Sequence, residues 1–175
     1  MPEEQQIGAS ACIEALQAAG ITHFVTVPDY VQLALHTAVE DGNSRMTLVR
    51  CCNEDQAVCT AAGLAIAGKR PVVVVQNQGL YACVNSLRAV TMDAQIPLLL
   101  MIGQFGRETA NFGQPTRLSR RRVVNLLEPL LDALDVPCWQ IDSAADAGAI
   151  ATASDAAVAR RGAAALTIGR PLGWH

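Results

Sequence analysis

The chain has 175 residues, of which 51% are hydrophobic and only 17% charged, and its net charge is −3. That length suits one domain spanning 1–175, and no basic stripe runs along it outside Arg117 to Arg122, which excludes nucleic acid as an expected partner. The longest unbroken apolar run, Ile96 to Ile102, is far short of the roughly 20 residues that cross a bilayer.

In chain order, Ala9 to Ala19 places Cys12, Ile13, Leu16 and Ala19 at helical spacing, and Gly20 supplies a stop. Thr22 to Val27 is a short β-branched strand ended by Pro28. Asp29 is expected to cap a helix from Tyr30 to about Glu40, ahead of the turn Asp41-Gly42-Asn43. Met46 to Cys51 reads as a strand, and Asn53 as the cap of a helix from Glu54 to Ala67, closed by Gly68.

Pro71 to Gln76 is a near-continuous apolar run, so a strand covered on both faces is predicted. Leu80 to Met92 is helical, Pro97 to Ile102 another buried strand, and Arg121 to Leu134 a helix interrupted by Pro129. Cys138 to Ile141, Ala145 to Ala159 and Ala163 to Ile168 continue as strand, helix and strand. Six strands alternating with helices and no hairpin signal predict a doubly wound parallel α/β sheet with helices on both faces. The irregular segment Gly103 to Ser119 follows a central strand, where long loops are commonly functional.

The start, Met1-Pro2-Glu3-Glu4, has no secretory pattern, and a cytoplasmic location is expected. Cysteines 12, 51, 52, 59, 83 and 138 then read as reduced, buried, hydrophobe-like thiols. None forms C-x-x-C or a zinc spacing with histidine, so no metal site is expected on this chain. His23 reads as a packed or edge residue, His36 as a solvated helix residue, and His175 is terminal.

Ligands of open parallel sheets bind beyond the carboxyl ends of the strands. Three such ends carry unusual polar residues: Asn53-Glu54-Asp55, Gln76-Asn77-Gln78-Gly79, and Gly103-Gln104-Phe105-Gly106-Arg107-Glu108. Glu54 opens a helix whose Ala57, Val58, Ala61, Ala62 and Ala65 allow close packing. In a poorly solvated niche its carboxyl can exchange a proton near neutral pH. Composition alone favours the plainer reading, an acid in water complementing the helix dipole. No G-x-G-x-x-G, Walker or G-x-S-x-G pattern is present. The arginines at 117, 120, 121 and 122 read as an anion site, a solvated face or a subunit contact, with nothing in the pattern to separate these.

Several segments in register resemble the pyrimidine-binding (PYR) domain of thiamine-diphosphate (ThDP) enzymes, and more narrowly the alpha subunits of sulfopyruvate and phosphonopyruvate decarboxylases. They are the stretch from Gly20 to Pro28 (GITHFVTVP), the Asn53 to Leu80 stretch with its N-E, A-A-G, G-K-x-P and Q-N-x-G-L, the trio Asn85-Ser86-Leu87, and Ile96 to Gly103. The resemblance implies that Glu54 hydrogen-bonds N1′ of the cofactor aminopyrimidine, and that Pro28, Asn77, Gln78 and Gly79 line the cofactor. It further implies that Gln78, Tyr81, Gln104, Phe105 and Arg107 face the substrate, a small 2-oxo acid.

The diphosphate half of these enzymes carries Gly-Asp-Gly and a later Asn-Asn that hold Mg²⁺. This chain has neither. The resemblance therefore implies a separate diphosphate-binding subunit that holds the metal, within a homo- or hetero-oligomer. Family members usually have Ser at the position of Gln78, a Gly-Asn pair at Tyr81-Ala82, and a shorter Arg-Gly segment at 103–108, so the sulfonate or phosphonate specificity does not carry over. The resulting expectation is the alpha subunit of a two-chain ThDP-dependent 2-oxo-acid decarboxylase. The competing expectation is a non-catalytic PYR-like module with an assembly or regulatory role.

Overall fold

The computed structural model describes residues 6–174. Six strands form one parallel sheet: β1 (His23–Thr26), β2 (Thr47–Arg50), β3 (Pro71–Gln76), β4 (Leu98–Gly103), β5 (Cys138–Ile141) and β6 (Ala163–Ile168), ordered β2-β1-β3-β4-β6-β5. The predicted doubly wound fold is therefore observed. β4 and β6 are buried at every position and β3 at all but its last, whereas the edge strands β2 and β5 are only partly covered.

Alternate residues of the central strands build two cores. One face carries Phe24, Val72, Val74, Leu99, Met101 and Leu166 against α1 (Ala9–Ala18), α2 (Leu33–Glu40) and α8 (Ala149–Arg160). The other carries Val25, Val73, Val75, Leu100, Ile102 and Ala165 against α3 (Glu54–Ile66), α5 (Val84–Leu87) and α7 (Leu127–Ala133). This two-sided burial is why these strands read as continuous apolar runs rather than alternating ones.

Four helix expectations need correction. The predicted helix from Leu80 to Met92 begins earlier, as α4 (Asn77–Ala82), continues as α5, and widens into a π-turn over Arg88–Asp93. Between Arg121 and Leu134 the break falls at Leu126, between α6 (Arg122–Asn125) and α7, and not at Pro129. Pro129 sits in the first turn of α7, where its missing N–H has no intrahelical partner to lose. Residues 144–146 form a separate 3₁₀ turn closed by a Ser143–Asp146 capping box, so α8 starts at Ala149. Asp29 does not cap α2: that helix starts at Leu33, and its N-cap Gln32 makes no side-chain cap bond.

Asp29 instead turns inward and is 1% exposed. Its Oδ1 accepts from Val31 N at 2.9 Å, and its Oδ2 from Gln32 Nε2 at 2.8 Å. Its own N–H donates to Nε2 of His36 at 3.0 Å. His36 is thus buried, 3% exposed and edge-on to Phe24, which corrects the solvated placement expected for it. Because Nε2 accepts, the neutral ring carries its proton on Nδ1, which faces Thr26 Oγ1 at 3.4 Å.

Burial lowers His36 to about 4 from 6.5, and burial raises Asp29 to about 6 from 3.8. These shifts oppose each other in stability. Between pH 4 and 6.5 the unfolded chain protonates His36 and the folded one does not, so this residue's contribution is lost as pH falls. Between pH 3.8 and 6 the folded chain keeps the Asp29 proton, so its contribution is lost as pH rises. At roughly 1.4 kcal/mol per pKa unit, each amounts to about 3 kcal/mol, and together they nearly cancel. We therefore expect Asp29→Asn to steepen the rise of stability with pH from 4 to 6.5 relative to the parent chain, and His36→Asn to reverse it. Urea unfolding across that range checks both, and parallel profiles for all three proteins would sink the account.

The expectation of uniformly buried thiols is also corrected. Cys12, Cys51 and Cys83 are buried, whereas Cys52, Cys59 and Cys138 are exposed. Burial pushes Cys12 and Cys83 up to about 12, which leaves them protonated and unreactive. His23 is half-buried at the start of β1, its Nδ1 2.8 Å from Thr22 Oγ1, in keeping with a packed or edge residue. His175 lies outside the described residues. No helix among those described is long and apolar enough to cross a membrane.

Candidate active site

With all six strands parallel, the segments after β1, β2, β3 and β4 emerge along one edge of the sheet. The segment after β2 is secured first. Asn53 Oδ1 accepts from Gln56 N at 2.8 Å, and Gln56 Oε1 accepts from Cys52 N at 2.7 Å, a reciprocal cap for α3. Asp55 Oδ1 accepts from Ser86 Oγ at 2.5 Å, tying the same turn to α5. Glu54 is the first residue of α3, so these bonds fix where its carboxylate goes.

That carboxylate lies directly against Gly79. A Cβ built on Gly79 would overlap the Oε1, Cδ and Cγ atoms of Glu54. Gly79 sits inside α4, with ordinary helical backbone, so its lack of a side chain serves close approach rather than an unusual φ. The strand ends of β2 and β3 thus meet through one carboxylate and one glycine. Gly79→Ala is expected to leave the fold intact while turning the Glu54 side chain aside. Should Glu54 bond the cofactor as the resemblance implies, titration of the chain with its partner should then show affinity falling about tenfold or more, the loss of one charged hydrogen bond. Unchanged affinity would show that this contact is only packing.

The segment after β3 is braced from below. Asn77 is fully buried, and its Nδ2 donates to Phe105 O at 3.1 Å and Val123 O at 2.8 Å. Its Oδ1 accepts from Gln78 N at 2.9 Å. Tyr81 Oη donates to the same Val123 carbonyl at 2.8 Å, and burial raises its phenol to about 12. Asn77 and Tyr81 therefore hold the loop after β4 and the start of α6 against α4. Gln78 is exposed, with Oε1 accepting from Gln76 Nε2 at 2.6 Å.

The long loop after β4 is organised by Arg107, which is 9% exposed. Its Nε donates to Asn111 Oδ1 at 3.0 Å and its Nη1 to Gln104 Oε1 at 3.0 Å and Asp142 Oδ1 at 2.7 Å. Its Nη2 donates to the carbonyls of Asn111 and Gln114, both at 3.0 Å, and to Asp142 Oδ2 at 3.2 Å. A guanidinium has five N–H donors, and these contacts use all of them. Glu108 closes the far end of the loop, accepting from Ser119 Oγ at 2.6 Å and Arg120 N at 2.8 Å, and these bonds hold its carboxyl down at about 2. Two short 3₁₀ turns, Thr109–Asn111 and Thr116–Leu118, give the loop a defined path.

The sequence-predicted residues therefore separate into two groups. Pro28, Glu54, Gln78 and Phe105 all reach the surface of the site edge, with Phe105 41% exposed and Glu54 half-buried. Asn77, Tyr81, Gln104 and Arg107 point inward, and three of them spend their polar atoms on the protein itself. Gln104 is 1% exposed, and its Nε2 has no partner among the described residues. A cavity of about 450 Å³ lies further along the loop, between Glu108 and Arg121, and does not include Glu54. In the isolated chain Glu54 is half-buried on an open edge, nearer to the helix-start acid in water that composition favours than to a poorly solvated niche.

Sequence reasoning gave Asp142 and Gly169 no part at this edge, and missed the close packing of Gly103 on Asp29. A Cβ on Gly103 would overlap the Asp29 carboxylate, and one on Gly169 would overlap Arg107 and Asp142. The available signal was positional, since each of the four stands just after a strand or as its last residue.

A family model described as "Thiamine pyrophosphate enzyme, N-terminal TPP binding domain" matches residues 7–120. That span holds β1 to β4 and every rim residue named above. The chain belongs to this family of thiamine pyrophosphate enzymes. Among curated proteins it is 26% identical over 133 residues to "Sulfopyruvate decarboxylase subunit alpha" of Methanocaldococcus jannaschii, covering 76% of this chain and 75% of that one. It is 29% identical over 100 residues to the protein of the same name from Methanothermobacter thermautotrophicus, covering 57% of this chain and 60% of that one. The rim suits the TPP (ThDP) cofactor of the family: a carboxylate acceptor stands on an open edge, over a glycine that leaves room for it, with Pro28, Gln78 and Phe105 alongside.

Proposed function

We propose that this chain is the alpha subunit of a two-chain, ThDP-dependent 2-oxo-acid decarboxylase, in which Glu54 holds the cofactor aminopyrimidine. The observation that carries the reading is the Glu54 carboxylate laid on Gly79 at the carboxyl edge of the sheet. Family membership and the two decarboxylase alpha-subunit relatives support the same activity. ThDP bound there supplies the electron sink that decarboxylation of a 2-oxo acid requires.

The residues of this chain have four tasks in that reading. Glu54 accepts a hydrogen bond from N1′ and keeps a proton on that nitrogen. Gly79 leaves the Glu54 carboxylate room to lie at the edge, and Pro28 lines the approach of the pyrimidine. Gln78 and Phe105 stand on the rim, where they meet the substrate. Asn77, Tyr81, Gln104 and Arg107 hold that rim in place from beneath, and so act on the reaction only through position. A diphosphate-binding partner subunit carries Mg²⁺ and closes the open edge over Glu54, removing water and strengthening its electrostatics.

The purified chain alone is expected to release no CO₂ from 2-oxo acids and to bind ThDP weakly. It should gain both properties with a partner carrying the Gly-Asp-Gly and Asn-Asn motifs. Calorimetric titration of ThDP and Mg²⁺ into each chain and into the pair tests this. Tight binding of the whole cofactor by this chain alone would overturn the shared site.

A further inference from the structure

Three hydrogen-bond donors without acceptors are buried where β4 and β6 end: Gln104 Nε2, Arg170 Nε and Arg170 Nη1. The amide of Gln104 is oriented by Arg107, whose Nη1 donates to Oε1, so its nitrogen must be the unpaired end. The Arg170 guanidinium carbon lies 4.6 Å from the centroid of the Phe112 ring, and that of Arg107 lies 5.6 Å from the same ring. Gly169, the residue before Arg170, packs on Arg107 and Asp142 with no room for a Cβ. Gln104, Arg107, Phe112 and Arg170 are therefore one contiguous cluster.

The charges of this cluster do not balance. It holds two guanidinium groups and one carboxylate, Asp142, which is bonded to Arg107 alone. Asp142 is committed elsewhere: its Oδ1 accepts from Arg107, and its Oδ2 from Arg107, from Gln140 Nε2 at 2.5 Å and from Gly113 N at 3.2 Å. No described acidic side chain bonds Arg170. A buried cation with unfilled donors is costly, and an anion accepting charge-assisted bonds removes that cost. Arg170 as a whole is only partly buried, although its unfilled Nε and Nη1 are themselves covered.

We propose that Arg170, backed by Phe112 and joined by Gln104, forms a binding site for a small oxyanion, a carboxylate or a tetrahedral anion such as sulfate. It uses neither Glu54 nor its cofactor. The site would place a negative group over the ends of β4 and β6, two strands from the end of β1.

Calorimetry on the full chain with sodium sulfate and with sodium acetate, at ionic strength matched by sodium chloride, tests the proposal. Saturable binding of at least one anion is expected, and the stronger of the two identifies the anion geometry. Arg170→Gln should weaken it about tenfold or more, since a charge-assisted hydrogen bond is lost. Phe112→Leu should weaken it less, and Arg160→Gln should not change it, because Arg160 bonds Asp135 elsewhere. Circular dichroism checks that each variant is folded. If Arg170→Gln does not fold, Arg170→Lys, which keeps the charge but loses the planar donor set, should show the same weakening. Binding no different from chloride, or undiminished in the Arg170 variants, would overturn the site and leave these donors to water alone.

Discussion

Glu54→Gln is expected to lower turnover of the two-chain enzyme by about 10²–10⁴-fold, the usual worth of a positioned acid–base group. The substitution is nearly isosteric, so the side chain still fits over Gly79 and the α3 cap is untouched. In the proposed mechanism, what it removes is the negative charge that holds a proton on the aminopyrimidine. The measurement is hydrogen–deuterium exchange at the reactive thiazolium carbon of the cofactor, followed by NMR in the reconstituted complex. Exchange should collapse while co-elution with the partner and the melting temperature stay unchanged. Undiminished exchange would remove Glu54 from the chemistry and reduce it to a helix-start acid.

The second large effect concerns stability. Arg107→Met is expected to cost about 3–5 kcal/mol, because it strands a buried carboxylate and a set of loop acceptors at once. The Arg107 side chain is 1% exposed and that of Asp142 14%, so solvent does little to soften the loss. The carbonyls of Asn111 and Gln114 and the side-chain oxygens of Asn111 and Gln104 lose their donor together. Urea unfolding of the full chain gives the number, and adding Asp142→Leu should restore part of it by removing the stranded charge. A loss under about 1 kcal/mol, the value of an exposed ion pair, would show that the loop is not organised by Arg107.

Glu54 and Arg107 were not equally legible in the sequence. Glu54, Gln78 and Phe105 were legible as rim residues because strand ends in a parallel sheet must share an edge. Arg107 was visible as well, as an arginine in a polar loop, but its partner Asp142 lies 35 residues away after an edge strand. No local pattern links them. The partners of Asn77 and Tyr81 were hidden for a similar reason. Position relative to β3 was clear, but the direction of each side chain depended on where the Val123 carbonyl came to lie.

His36 shows the same limit in the core. Helical spacing can put a histidine on either face of a helix as short as α2, and only the inward turn of Asp29 supplied an N–H to satisfy its buried ring. Polar residues are free to face water or a partner, and sequence alone cannot say which until the partner is in place.

What the sequence determined by itself was the architecture and the sheet edge that gathers the candidate site residues. Apolar runs, glycine stops and the Asn53 cap are local signals, and six strands joined by helices leave one plausible sheet type. What only the tertiary structure decided was the division of labour along that edge. Glu54 stands at the surface because Gly79 makes room for it, while Arg107, Asn77 and Gln104 are drawn inside because loops distant in sequence bring the acceptors that buried donors require.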